Sequence, residues 1–157
     1  MPSYNQIAKS YNELHGEEQE KKLKIIKTLI KVKKTTKILD VGCGTGISSD
    51  FNCSIIGIDP SEALLKQNKK PHIQGSAENL PFRDNEFDIV LAITSIHNFN
   101  SIEKGIKEMK RVGKKQFVFS LLKRSDKLET ILKIIKENFR IKKEIEEEKD
   151  IILLLEK

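Results

Sequence analysis

The chain has no tryptophan, two tyrosines, two cysteines and four prolines among its 157 residues. Without tryptophan, the core must rest on Ile, Leu, Val and Phe. Two cysteines, Cys43 and Cys53, form no disulfide framework. Neither a CxxC pair nor a His/Cys cluster supplies a zinc pattern, so no metal is expected. No run approaches the roughly 18 consecutive apolar residues that a bilayer span requires. Met1 to Gly16 is polar and lacks an apolar core segment, which predicts no signal peptide. These absences predict a cytoplasmic protein with no membrane association. Linkers, repeats and low-complexity tracts are missing too, and the length fits one domain.

Apolar residues make up 38% and charged residues 33% of the chain, a globular rather than a disordered balance. The net charge is +6. Such a balance fits a nucleic-acid partner or a lysine-rich solvated surface. Lysines spread along the whole chain, which favours the second reading and keeps RNA as an alternative partner. The sequence leaves monomer and homodimer open.

Short apolar runs alternate with helical patterns, the mark of βαβ units and a parallel sheet. Leu23, Ile26, Leu29 and Ile30 predict an amphipathic helix from Glu17 to about Lys33, with Lys21, Lys22, Lys24, Lys27 and Lys31 on its other face. Strands are predicted at Lys37–Val41, Ser54–Ile58, around Ile73–Gln74, at Phe87–Ile93 and at Gln116–Leu122. Helices are predicted around Ile47–Phe51, at Ser61–Asn68 with Ser61 as N-cap, at Ser101–Val112 and at Asp126–Asn138. Phe139–Glu146 and Asp150–Glu156 read as two final strands. Their short connection demands an antiparallel pair, because a parallel crossover takes a dozen residues or more. The expected fold is α/β, a doubly wound sheet of about seven strands with five or six helices.

The most informative stretch is Ile38-Leu39-Asp40-Val41-Gly42-Cys43-Gly44-Thr45-Gly46. An apolar strand runs into glycines at alternate positions, and a helix opens after them. Glycine permits the tight turn and lets backbone lie against a ligand. The next strand ends in Asp59, where a carboxylate can accept hydrogen bonds from both hydroxyls of a ribose. Dinucleotide binders need G-x-G-x-x-G, and here Ile47 occupies the third glycine position. Asp40 would also repel a pyrophosphate. A carboxylate there suits a cationic ligand, and S-adenosylmethionine (SAM) carries a sulfonium and an ammonium group. NAD-linked redox chemistry is therefore disfavoured.

At these residues the chain resembles the class I SAM-dependent methyltransferases, in the branch of the ubiquinone/menaquinone-biosynthesis enzymes (methyltransferase type 11). Ile38–Gly46 resembles the family's glycine motif, and Ile55–Ser61 its ribose-binding segment. Gly75–Phe82 with Asp84 and Glu86-Phe87-Asp88 resembles the adenine-side loop and fourth strand. Arg111-Val112 before Gln116–Ser120 resembles the helix end and fifth strand, and Tyr4 through Tyr11 the N-terminal segment over the cofactor. The resemblance implies a Rossmann-like three-layer α/β/α domain with sheet order 3-2-1-4-5-7-6 and strand 7 antiparallel. Within one domain over residues 1–157, it implies an N-terminal lid and basic helix (1–34) and a core (35–157).

The resemblance further implies that Asp40 and Gly42 lie near the methionine moiety, that Asp59 meets the ribose, and that Gly44, Gly46 and Pro60 belong to the cofactor-binding set. Ser76 and Ala77 are implied along the adenine, the Ile93 backbone beside the methionine, and Tyr4 or Tyr11 as a lid. Two departures stand out. The family usually has Asp where this chain has Ser76, so one adenine contact is either weaker or supplied by Glu78. The stretch from Gly46 to Ser54 is short, so the helix after the glycine loop is curtailed.

A sulfonium is already activated, so alignment and exclusion of water carry most of the catalysis. Thr94-Ser95-Ile96-His97-Asn98-Phe99 comes directly after strand 4, where acceptors approach in open α/β sheets. His97 is the candidate base, against a plain structural role in the loop. The expected function is methyl transfer from SAM, giving S-adenosylhomocysteine, with the acceptor unidentified. A small molecule is favoured over RNA or protein, the latter with a partner subunit completing the site. The rival is a non-catalytic SAM binder.

Overall fold

The computed structural model describes the backbone of residues 4–157 and the side chains of residues 16–157. The chain divides into two compact units at Lys31–Val32.

The first unit is one helix, α1 (Tyr4–Leu29). It begins well before the Glu17 start read from the apolar pattern and stops before Lys33. Residues 4–16 hold too few apolar side chains to show a period. Their Ala, Lys, Gln, Glu and Leu are nonetheless strong helix formers. Lys21, Lys24 and Lys27 are exposed, as their helical phase predicts. Lys22 is buried, contrary to that reading. It lies one turn before Ile26, in helical phase with the edge of the apolar stripe. No helix among the described residues is long and apolar enough to cross a membrane.

The second unit is a seven-stranded sheet with helices between its strands. The strands are β1 (Lys37–Val41), β2 (Ser54–Asp59), β3 (His72–Gln74), β4 (Phe87–Ile93), β5 (Gly113–Leu122), β6 (Arg140–Glu146) and β7 (Asp150–Glu156). The helices are α2 (Glu62–Leu65), α3 (Ile102–Val112) and α4 (Leu128–Asn138). The order is β3-β2-β1-β4-β5-β7-β6, as the resemblance implies. Strands β1 to β5 pair in parallel, and β7 runs antiparallel to both β5 and β6. The last two strands form the expected hairpin, with Phe139 closing α4 instead of opening β6.

β4 lies mid-sheet, with every residue but Asp88 buried, as a strand covered on both faces must be. Alternate residues divide the sheet into two faces. One carries Leu39, Val41, Val90, Ala92, Phe117 and Phe119, packed with Ile106, Met109 and Val112 of α3 and Ile131 and Ile135 of α4. Phe117, Phe119 and Phe139 take the place of the absent tryptophan, with ring centroids 4.7 to 6.3 Å apart. The opposite face carries Ile38, Asp40, Leu91, Val118 and Ser120, each buried.

Helix content between the strands is lower than expected. The segment after the glycine loop is a single 3₁₀ turn, Ile47–Ser49. α2 is one turn long, N-capped by Ser61 as predicted, and tightens into i→i−3 bonds at Gln67 and Asn68. Both crossovers are too short for a full helix and are completed by loop hydrogen bonds.

Candidate functional site

β1 is flanked by β2 on one side and β4 on the other. The chain leaving β1 therefore parts from the chain leaving β4, and the region beyond their C-terminal ends is where open α/β sheets bind ligands. Three glycines shape its near wall: Gly42, Gly44 and Gly46 have φ of 81°, 51° and 90°. All three lie in the left-handed region that side-chain-bearing residues avoid. At Gly42 the need is also one of space, since a Cβ there would fall 2.4 Å from the Cβ of Ser95. A Cβ on Gly44 would meet only Leu64, at 3.7 Å, so this part of the loop backbone lies open. Leu64 is the one exposed large hydrophobic side chain among the described residues.

The loop is fastened from several directions. The Gly42 and Cys43 N–H groups donate to the Ile58 carbonyl, at 2.8 and 3.2 Å. The Gly44 N–H donates to Asp59 Oδ2 at 2.9 Å, and the Ser61 N–H to Asp59 Oδ1 at 2.8 Å. Asp59 thus holds the glycine loop and the start of α2 together. Each of its oxygens keeps a second lone pair for another donor. Asn68 does a parallel job. Its Nδ2 donates to the Gly44 carbonyl (3.0 Å) and to Cys43 Sγ (3.5 Å), while its Oδ1 accepts from the Lys70 N–H (2.8 Å).

Asp40 is wholly buried beneath this loop. The Ser48 and Ser49 hydroxyls both donate to its Oδ2, at 2.6 and 2.8 Å. Its Oδ1 is buried with no hydrogen-bond partner. Burial pushes the carboxyl above the usual carboxylate range, and the charge of Asp59 adds to this. The two serine bonds pull the other way. Cys43 sits in the same environment. Its thiol is pushed up to about 12, first by burial and then by Asp40 and Asp59, which makes it a packing residue and not a nucleophile.

The far wall comes from β3 and β4. The Gly75 N–H donates to the Asp59 carbonyl at 3.1 Å, which sets Ser76 and the buried Ala77 just past Asp59. The next loop is pinned to α3. Arg111 donates to the Leu80 and Phe82 carbonyls, to Asp84 and to Glu108. Glu78 Oε1 accepts from the Ser101 N–H at 2.9 Å. Glu78 Oε1 is thus tied to the start of α3. Ile93 ends β4, and Ser95 ties that end to β1 by donating to the Val41 carbonyl at 2.9 Å.

The structure therefore places Asp40, Gly42, Gly44, Gly46, Asp59, Pro60, Ser76, Ala77 and Ile93 at or just past the C-terminal ends of the neighbouring parallel strands β1, β2, β3 and β4. His97 lies on the 3₁₀ turn Ile96–Asn98 beyond β4, half-buried, and its carbonyl accepts from Lys127 Nζ at 3.0 Å. Tyr4 and Tyr11 fall where side chains lie outside the described residues. Sequence reasoning missed Ser48, Ser49, Asn68 and Ser95. Ser48 and Ser49 carry a usable signal, as hydroxyls just past a glycine loop with a buried acid. Asn68 and Ser95 carry none, because their partners lie far off in the chain.

The sequence pattern of a family described as "methyltransferase domain" matches residues 39–120, more than half of the chain. The chain is 31% identical over 146 residues to the uncharacterised protein MJ1252 of Methanocaldococcus jannaschii, covering 87% of this chain and 57% of that one. It is 33% identical over 130 residues to the demethylmenaquinone methyltransferase of Staphylococcus carnosus, covering 71% and 54% respectively. The chain thus spans little more than half the length of these relatives. A SAM-dependent methyltransferase of Thermotoga maritima superposes with a TM-score of 0.76 at 18% identity, covering 96% of each chain, a likeness of fold.

Proposed function

The chain belongs to the methyltransferase domain family, and on that premise we propose that its crevice binds SAM and that it transfers the methyl group to a small-molecule acceptor. The observation that carries this reading is Asp40 Oδ1, a buried acceptor without a partner beside an open stretch of glycine backbone. Buried polar atoms are nearly always satisfied, so an orphan marks a missing donor. A cationic ligand supplies one, whereas a pyrophosphate would be repelled.

The other residues fit the same ligand. Asp59 has one free lone pair on each oxygen for the two ribose hydroxyls. Leu64, Pro60 and Ala77 offer apolar surface to the adenosine, with Ser76 at its edge. Gly44 leaves backbone open to the methionine portion, while Gly42 and Gly46 give the loop its left-handed turns beside Ser95 and Asn68, and the end of β4 at Ile93 closes that side. When bound, SAM supplies a methyl group on a sulfonium, activated for in-line displacement. The chain's own part is to align the acceptor at the end of β4, exclude water and, for an acceptor that must lose a proton, offer His97. The S. carnosus relative is named for a small-molecule acceptor, demethylmenaquinone. This supports the choice of acceptor class.

Calorimetric titration with SAM, S-adenosylhomocysteine and NADH tests the site. Micromolar binding of the first two and none of the third is expected. Asp59→Ala is expected to weaken SAM by about 1–3 kcal/mol, the cost of leaving buried partners unpaired. Unchanged affinity in that variant would falsify the placement of the ribose. Incubation with labelled SAM and separate metabolite, RNA and protein pools then identifies the acceptor class. Label recovered only in macromolecules would replace the small-molecule reading.

A further inference from the structure

The turn that leaves β4 strains its own backbone. Thr94 has a φ of 51°. Asparagine tolerates that region, as Asn85 does here at 55°. A β-branched threonine adopts it only when its surroundings impose it. Three hydrogen bonds do so. The Thr94 N–H donates to the Ser120 carbonyl at 3.0 Å. The Thr94 hydroxyl donates to Asp150 Oδ2 at 2.6 Å. Its single proton is then spent, so the Ser120 hydroxyl, 2.9 Å away, donates to Thr94 Oγ1. Ser120 and Asp150 are both fully buried.

Asp150 comes from far along the chain. It is the first residue of β7, opposite Leu122 at the end of β5. A carboxylate at the start of the one antiparallel insertion thus grips the turn after the central strand. The residues next in the chain depend on that grip. Ser95 bonds the Val41 carbonyl and occupies the space that a Gly42 side chain would need. The Ile96–Asn98 turn then carries His97.

We propose that Asp150 is a positioning residue: through the Thr94 hydroxyl it holds the left-handed turn that seats Ser95 on the glycine loop and fixes the β4 wall of the crevice. The assignment rests on the reading of that crevice as the SAM site.

The test uses the full chain with two readouts, SAM affinity by calorimetry and the ligand-free backbone chemical shifts of Thr94. Asp150→Ala is expected to move the Thr94 shifts out of the left-handed range and to weaken SAM about tenfold. Thr94→Val keeps the side chain's shape and loses its donor. It should give the same loss, and it decides the matter if Asp150→Ala does not fold. Asp150→Asn keeps an acceptor oxygen and should lose no more than about threefold. The decisive arm adds Thr94→Gly to Asp150→Ala. Glycine enters the left-handed region without help, so most of the lost affinity should return. Loss in Asp150→Ala with no recovery in the double variant overturns the proposal, as do unchanged Thr94 shifts. Wild-type protein that binds no SAM overturns the reading of the crevice, while the Thr94 shifts still decide whether Asp150 sets the turn.

Discussion

A carboxylate oxygen buried without a donor costs stability, and Asp40 carries that cost in the ligand-free chain. Burial raises its pKa in the folded state. A carboxyl raised on folding contributes stability below its unfolded value and loses that contribution as pH rises through the folded value. Above that raised pKa the ionised Asp40 therefore opposes folding. There Asp40→Asn is expected to stabilise the free protein by about 1 kcal/mol, measured by denaturant unfolding across a pH series. The gain should shrink as pH falls through the raised pKa toward the ordinary carboxylate range. The same substitution removes the charge that a sulfonium or ammonium group would meet. SAM affinity should then fall at least about tenfold. In the wild type, affinity should weaken as pH falls through the raised pKa, because protonation cancels the attraction. A variant both less stable and equally able to bind SAM would show that Asp40 serves the fold and not the ligand.

Elements differ in how far a sequence discloses them. β1, β4 and β7 were legible to the residue, because a buried strand announces itself as an apolar run and a turn residue punctuates its end. The glycine loop was legible for a related reason. Left-handed backbone at alternate positions requires glycine, and glycine is visible in a sequence. α1 was harder, since helix propensity without an apolar period leaves no stripe to follow. Asn68 shows the limit most clearly. Nothing in its neighbourhood marks it, yet it bonds Gly44 and Cys43 across the short α2 crossover and packs against Gly46. It replaces, with a side-chain clamp, rigidity that a longer helix after the loop would give. Asn68→Ala is expected to cost about 1–3 kcal/mol of stability through the stranded Gly44 carbonyl and Lys70 N–H. SAM affinity should fall with it, and hydrogen exchange at Gly44 and Gly46 should rise. Exchange at those amides as slow as in the wild type would mean that Asp59 holds the loop alone.

At the scale of the whole molecule, the charge of +6 sets two acceptor classes against each other. A chain that reads nucleic acid through its lysines releases counterions on binding. Its affinity then falls by about 10³ to 10⁵ between 50 and 200 mM salt when six to ten phosphates are contacted. A small acceptor at the end of β4 gains little from that field. Its recognition comes from the crevice walls, from the open glycine backbone to the Ile93–His97 turn, and those contacts are short-ranged and screened weakly. The lysines of α1 point the same way, since Lys21, Lys24 and Lys27 are exposed, as on an ordinary solvated face. The small-molecule reading therefore predicts that KM for the acceptor changes less than about threefold over that salt range, with kcat unaltered. A steep fall in kcat/KM with salt, recovered on dilution, would transfer the acceptor to the nucleic-acid class. The basic surface would then be the acceptor's docking face, and the crevice at β4 would receive only the single group to be methylated.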